Sequence, residues 1–196
     1  MSSFIGHATA GAAIYLSQGR LSSPQARWAL PLFILLAVFP DFDYVGRWFL
    51  GADMQPRVTH TLAFCVAFGI LAWVSTTKLR ADVRHPPTLA AYVLASSSHL
   101  ALDILVGVHA LPVLWPFTAN EISSPIGILP STIHVLSLTN HYLWRNLLIE
   151  SAVLLPLLAA MVALCRATPV RSMLPKVLFM GPPWIVCLAW SLGLQR

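Results

Sequence analysis

The sequence VTHTLAFCVAFGILAWVSTT, residues 58–77, contains no Lys, Arg, Asp or Glu over its 20 positions. A helix needs about 20 predominantly apolar residues to cross the hydrocarbon core of a bilayer. Two basic side chains, Lys78 and Arg80, follow closely. Positive charge beside an apolar segment is typical of the cytoplasmic end of a membrane helix. Residues 58–77 therefore predict a transmembrane helix.

Apolar runs on both sides of this segment predict five more helices. The six candidate helices cover residues 4–16, 28–40, 58–77, 87–108, 146–165 and 177–195. The first two are short for a span, and we expect them to be tilted or partly re-entrant. The pattern predicts an all-α, polytopic transmembrane bundle of about five to six helices. We expect residues 1–196 to form a single integral membrane domain.

Composition supports a membrane location for the chain. Hydrophobic residues make up 57% of the 196 positions and charged residues only 10%, and the mean hydropathy is +0.73. A soluble domain is about 25% charged, so the chain is neither disordered nor an ordinary soluble protein. The net charge of +5 comes from basic residues scattered between apolar runs. We therefore expect the lipid bilayer, and no nucleic acid, as a partner.

The distribution of basic residues predicts the orientation in the membrane. If the helices span alternately, eight basic residues fall on one side and four on the other, the four being Arg47, Arg57, Arg145 and Arg196. Loops with more Lys and Arg stay in the cytoplasm. The side with four basic residues, which also carries both chain termini, is therefore predicted to be extracytoplasmic.

Six metal-capable residues fall on this outer side, although the count of Lys and Arg did not use them. They are His7, Asp41, Asp43, His60, His99 and Asp103. His99 and Asp103 are four residues apart and share one helix face. Asp41 and Asp43 follow an apolar segment, where a helix end allows both to face one cavity. Singly, each has a plain explanation as a packing histidine, a solvated helix end or an intrahelical hydrogen bond. Together they predict a shared metal or proton-handling site at the extracytoplasmic boundary.

Several further polar residues are candidates for roles near this predicted site. Residues 109–145 form a long outer connection, typical of a functional loop or a linker. Its histidines, His109, His134 and His141, are either exposed or available for substrate or a second metal. Arg57 binds an anionic substrate or anchors the interface. Glu150 either faces the same cavity or extends to the membrane surface.

Several short motifs resemble those of a known family. They are Gly6-His7, FPDFD at 39–43, RVTHT at 57–61, HLALD at 99–103 and LWPF at 114–117. In this order they resemble the small bacterial membrane-bound metal-dependent hydrolases, some of which are described as LexA-regulated inner-membrane proteins. That family is thought to be distantly similar to zinc-dependent phospholipases C and single-strand-specific zinc nucleases. The resemblance covers residues 1–117, and residues 146–196 match only as further apolar segments.

The resemblance implies a hydrolase of the bacterial inner membrane. It implies metal-ligand roles for His7, Asp41 or Asp43, His60, His99 and Asp103. The family's third motif usually reads His-Arg-Gly before Thr-His, whereas this chain has QPRV at 55–58. The missing histidine removes none of the implied ligands, but it leaves open the outer-shell or substrate role of that residue.

Imidazole and carboxylate ligands without a thiolate suit one or two ions of zinc, with manganese or iron as alternatives. The leading interpretation is metal-activated hydrolysis of a phosphoester, phosphodiester or lipid-like substrate, with Asp41 or Asp43 as general base and Arg57, His134 and His141 binding substrate. The alternatives are a proton- or ion-coupled transporter that uses the Asp/His cluster, and a haem-binding membrane protein that uses His60 and His99.

Overall fold

The computed structural model describes residues 2–18, 28–44, 51, 56–79, 86–107, 109–130 and 139–194. Within these ranges the chain forms six α-helices: α1 (Phe4–Ser17), α2 (Ala29–Val38), α3 (Leu62–Leu79), α4 (Leu89–Val106), α5 (His141–Cys165) and α6 (Val170–Leu192). Two 3₁₀ helices, Phe39–Phe42 and Val58–His60, lie at the end of α2 and before α3. In the same ranges the extended pairing is limited to one antiparallel bridge between Leu111 and Ile122. The predicted all-α class is confirmed.

The last two helices begin earlier than the apolar pattern predicted. Helix α5 starts at His141 because the side chain of Asn140 accepts a hydrogen bond from the Tyr142 backbone N–H and caps the helix. The outer connection therefore ends at Asn140 and not at Arg145. Helix α6 starts directly after Pro169 and continues through internal prolines. The apolar pattern underestimated the length of both helices because their first turns contain polar or charged residues.

The helices pack around α1. This helix contacts α2, α4 and α5, while α3 lies on α4 and α6 lies on α5. Helices α3 and α4 approach closely at Gly69, where an added Cβ would lie 2.8 Å from the Cα of Val93. Small residues allow membrane helices to pack at such short separations. On α4, Ser96 and His99 are fully buried.

Two buried apolar clusters hold these helices together. One fills the space between α1, α2 and α4 and contains Phe33, Leu36 and Tyr92. The other lies between α1, α4 and α5 and contains Val106, Ile149 and Val153. Because both clusters include α1 and α4, they fix the relative position of the two helices that carry His7 and His99.

Among the described residues, four helices are long and apolar enough to cross a membrane: α3, α4, α5 and residues Arg171–Leu192 of α6. Helix α2 and the 3₁₀ turn after it are apolar but shorter, at Ala29–Phe42, which confirms that the second segment is short; its tilt or re-entrance stays a prediction. Helix α6 exposes Leu178, Phe179 and Val186 over most of their surface. Such a surface suits contact with lipid chains.

Candidate metal centre

Helix α1 brings His7 into the bundle. The hydroxyl of Ser3 caps the helix by accepting a hydrogen bond from the Gly6 backbone N–H at 2.9 Å. His7 follows in the first turn and is fully buried. Its ring stacks on that of His99, with ring centroids 3.8 Å apart. Neither ring nitrogen has a hydrogen-bond partner among the described residues, which is costly for a buried polar group.

The end of α2 presents two aspartates in different environments. After Val38 the chain tightens into the 3₁₀ helix Phe39–Phe42, which begins with Phe39 and Pro40. Asp41 points inward and is fully buried, and neither of its carboxyl oxygens has a hydrogen-bond partner within the described ranges. Asp43 lies at the end of this turn, nearer the surface. The tight turn thus separates one inner carboxyl group from one outer carboxyl group.

Asp43 is held by Arg57. The guanidinium donates to both carboxyl oxygens, from Nε at 2.8 Å and from Nη2 at 3.2 Å. A fork of this kind is the strongest common ion-pair geometry. The guanidinium carbon also lies 4.6 Å from the centre of the Tyr44 ring. Burial by itself lowers the pKa of Arg57, but the bond to Asp43 together with the charges of Tyr44, Asp43 and Asp103 leaves that pKa above its ordinary value.

The tyrosine beside this pair stays neutral. Burial raises the pKa of Tyr44 to about 12, even though the charge of Arg57 acts in the opposite direction. The phenol therefore keeps its proton at physiological pH, and its ring offers an aromatic face to the guanidinium. Asp43, Arg57 and Tyr44 form an outer layer over the buried cluster.

The second 3₁₀ helix, Val58–His60, turns His60 inward, where it is fully buried. Its Nδ1 lies 3.1 Å from the Thr59 hydroxyl and 3.4 Å from Asp43 Oδ2. Its Nε2 lies 2.6 Å from Arg57 Nη2. Because a guanidinium only donates, Nε2 must carry the lone pair and Nδ1 the proton.

His99 is oriented in the same way. Its Nδ1 lies 2.8 Å from the Ala37 carbonyl oxygen, which only accepts, so Nδ1 carries the proton. The lone pair of His99 Nε2 therefore faces the cluster. Metal-ligating histidines are commonly fixed by such a bond from the other ring nitrogen to a carbonyl. The carbonyl at the end of α2 thus sets the tautomer of a histidine on α4.

Asp41 and Asp103 lie between the histidines. His60 Nε2 and His99 Nε2 are 3.5 and 3.6 Å from Asp41 Oδ1, and 3.7 and 3.5 Å from Asp103 Oδ2. His7 Nε2 approaches the other oxygen of each group, 3.7 Å from Asp41 Oδ2 and 3.4 Å from Asp103 Oδ1. The two carboxyl groups therefore face His60 and His99 on one side and His7 on the other.

Four of these residues form a compact group that can hold a metal ion. Asp41, His60, His99 and Asp103 each offer one atom, and these atoms all lie within 4.8 Å of one another. All four side chains are buried. Buried carboxyl oxygens and lone-pair nitrogens this close repel each other unless protons or a cation lie between them. The unpaired oxygens of Asp41 and Oδ2 of Asp103 fit a cation.

The other predicted site residues lie elsewhere. Arg57 and Asp43 border the group. His141 is exposed at the start of α5 with its ring 3.9 Å from that of Tyr142, and within the described residues no hydrogen bond or ion pair joins it to the group. His109 is exposed. The prediction for His134 falls outside the described residues.

Sequence reasoning missed Ser2, Ser3 and the Ala37 carbonyl, and left two alternatives open for Glu150. Ser3 had a signal, because a serine before an apolar helix is a favoured cap. Glu150 had a signal as the lone acid of an apolar segment. The carbonyl of Ala37 had none, since every residue carries one.

A comparison with known protein families assigns the chain to one of them. The profile of a family described as YdjM inner membrane protein matches residues 1–171. The chain belongs to this family. The match includes the compact group, His7 and Glu150, and ends at the start of α6. Neither a curated protein nor a solved structure matches the chain significantly. Family and helices together support a membrane-embedded protein.

Proposed function

We propose that the chain is a membrane-embedded, metal-dependent hydrolase. The observation that carries the proposal is the compact group Asp41, His60, His99 and Asp103, whose metal-capable atoms lie within 4.8 Å of one another in a buried position. Two of these side chains come from α4, and the others come from separate turns. A structural role alone does not require two imidazole lone pairs to face two carboxyl groups.

The ligand chemistry favours zinc. Two imidazoles and two carboxyl groups suit zinc first, then manganese or iron. The nearest cysteine in the chain, Cys65, has its sulfur directed at the Thr59 carbonyl at 3.9 Å, so a thiolate ligand is not part of the group. His7 lies beyond the shared carboxyl groups, and it suits either an outer ligand of the same ion or a second ion.

The remaining residues have distinct roles in this proposal. A divalent cation held by Asp41, His60, His99 and Asp103 would supply a water of pKa about 7 and a positive charge for a substrate oxygen. Asp41 faces His60 and His99 through Oδ1, and its second oxygen, Oδ2, which has no hydrogen-bond partner among the described residues, accepts the proton. Asp43 is a poorer general base because both of its carboxyl oxygens already accept hydrogen bonds from Arg57. Asp43 instead orients His60 and Arg57, and Arg57 steers an anionic substrate.

A phosphoester, phosphodiester or lipid-like molecule is the proposed substrate. Arg57 and Asp43 reach the partly exposed boundary of the cluster, and the neighbouring Phe42 and Val58 are exposed apolar side chains. A cation and an apolar rim suit an amphiphile with an anionic head group. The count of Lys and Arg favours an extracytoplasmic position for this boundary.

Two alternatives make different demands on the same residues. A proton-coupled transporter also uses intramembrane Asp and His residues, and proton-driven uptake into proteoliposomes would favour it. A haem protein needs a macrocycle between His60 and His99. Their Nε2 atoms are 3.2 Å apart and Asp41 lies beside both, which weighs against haem, as would the lack of a Soret band.

The test is metal analysis followed by an activity assay. The full chain, purified in detergent, should retain zinc, and His99→Ala and Asp103→Ala should lose it. Glu121→Ala, an exposed acid in the loop after α4, is the control and should retain the metal. Metal-loaded protein should then cleave a phosphodiester lipid in mixed micelles. Negligible metal in the wild type, unchanged by either ligand substitution, would refute the metal centre. Metal binding without cleavage of the phosphodiester lipid would refute the proposed hydrolase activity.

A further inference from the structure

A chain of hydrogen bonds leads from the middle of α5 to Asp103. The Ser2 backbone N–H donates to Asp103 Oδ1 at 2.9 Å, and the Ser2 hydroxyl donates to Glu150 Oε1. The Ser3 backbone N–H donates to the same Glu150 oxygen at 3.0 Å. All four residues are buried. Residues 2 and 3 therefore form a strap, the N-terminal strap, between a carboxyl group on α5 and one on α4.

The N-terminal strap determines which way Asp103 faces. Because Oδ1 accepts the bond from Ser2, Oδ2 is turned towards His60 and His99, at 3.7 and 3.5 Å. Without that bond the carboxyl group can rotate about its Cβ–Cγ axis. Hydrogen bonds to a ligating carboxyl group commonly fix its orientation and raise metal affinity.

The position of Glu150 indicates a specific role. It lies in α5, one of the four apolar candidate spans, and its side chain is 1% exposed, so it does not extend to the membrane surface. An acid buried in such a segment is costly unless it accepts hydrogen bonds. Its bonds go to the N-terminal strap, and its second oxygen, Oε2, has no hydrogen-bond partner among the described residues.

Gly6 makes room for this arrangement. A Cβ at Gly6 would lie 2.5 Å from Glu150 Oε1 and 2.7 Å from Ser2 Oγ. Any side chain there must displace the Glu150 carboxyl group or the Ser2 hydroxyl, and so breaks the bond between them. The start of α1 is therefore shaped to accept a carboxyl group from α5.

We propose that Glu150 is a positioning residue for the metal ligand Asp103. It holds residues 2 and 3 in place, and the Ser2 N–H in turn presents Asp103 Oδ2 to the ion. This inference rests on the proposed metal centre. It assigns a part in metal binding to α5, a helix that contributes none of the proposed ligands.

Cobalt binding to the full chain in detergent tests the inference, because the visible absorption of Co²⁺ reports the geometry of its ligands. Glu150→Leu removes the acceptor at similar volume, and we expect a loss of affinity of ~10–100-fold and an altered spectrum. Glu150→Gln keeps an acceptor oxygen and should bind nearly as the wild type does. Glu121→Leu, at an exposed acid, should change neither quantity.

Gly6→Ala provides a second variant that deletes no polar group, and it should weaken cobalt binding by displacing the strap. Its matched control is Gly181→Ala, since a Cβ at Gly181 meets nothing within 4 Å. Wild-type affinity and spectrum in folded Glu150→Leu, or in Gly6→Ala if Glu150→Leu does not fold, would overturn the inference alone. A wild-type chain that binds no cobalt would overturn the metal centre as well.

Discussion

The Nε2 atoms of His60 and His99 lie 3.2 Å apart, and that of His60 also accepts a hydrogen bond from Arg57 Nη2 at 2.6 Å. The protons are fixed on the opposite nitrogens, at the Ala37 carbonyl for His99 and beside Asp43 for His60. Two acceptors held this close in a buried site, with carboxyl oxygens on either side, repel one another. A metal ion held by these side chains would take the place of the Arg57 bond to His60 and remove that repulsion.

Metal removal should therefore destabilise the protein. A chelator should lower the Tm of the detergent-solubilised chain, and added zinc should restore it. At a free zinc concentration of 100 times Kd the stabilisation is about 2.7 kcal/mol. Thermal unfolding of wild type and His99→Ala, each with and without chelator, checks this. An equal effect of chelator on both proteins would contradict the prediction.

The sequence predicted which side chains lie close together, because helices that cross a membrane in alternating directions bring the end of one helix next to the start of the following helix. His7, Asp41 and His60 flank apolar segments at ends that alternation places on one side, and His99 and Asp103 share a helix face. Because charged residues are scarce in this chain, Asp and His residues beside or within apolar segments are easy to identify in the sequence. Patterning therefore carried both the helical class and the grouping of these five side chains in one region.

The finer arrangement could not be predicted from the same patterns. Apolar periodicity does not reveal that the turn at 39–42 is a 3₁₀ helix, which directs Asp41 inward and leaves Asp43 to Arg57. Nor does it reveal backbone donors and acceptors, so the contacts of Ser2 and Ala37 had no signal. Glu150 stands out in the sequence as an acid in an apolar segment, but the sequence does not show where its side chain lies. Burial against α1 and extension to the membrane surface give the same sequence pattern.

His7 and His99 face different oxygens of Asp41 and Asp103, so we expect their substitution by alanine to change the metal content differently. His7 lies outside the compact group, so His7→Ala should retain the ion held by His60 and His99. The metal content per chain should fall to an intermediate level or stay unchanged, whereas His99→Ala should lose the metal. Elemental analysis of the purified variants measures both. A content in His7→Ala as low as in His99→Ala would make His7 a ligand of the same ion.

Arg57 should affect substrate and not metal. It contacts Asp43 and His60 from the outer layer, and a guanidinium cannot ligate a cation. Arg57→Gln should therefore keep the metal but raise KM for an anionic substrate, by about tenfold for about 1.4 kcal/mol of lost binding. Lys78→Gln, which removes an exposed cation at the far end of α3, is the control and should leave KM unchanged. Loss of metal in Arg57→Gln would assign Arg57 to the orientation of His60 instead.

The predicted orientation can be tested at Cys165, an exposed free cysteine at the end of α5. It precedes Arg166 in the connection to α6, which the distribution of Lys and Arg places in the cytoplasm. In a Cys187→Ala background, where the remaining Cys65 is buried, an impermeant maleimide should label inverted membrane vesicles and not intact spheroplasts. Labelling of the spheroplasts alone would reverse the orientation and place the metal centre at the cytoplasmic boundary.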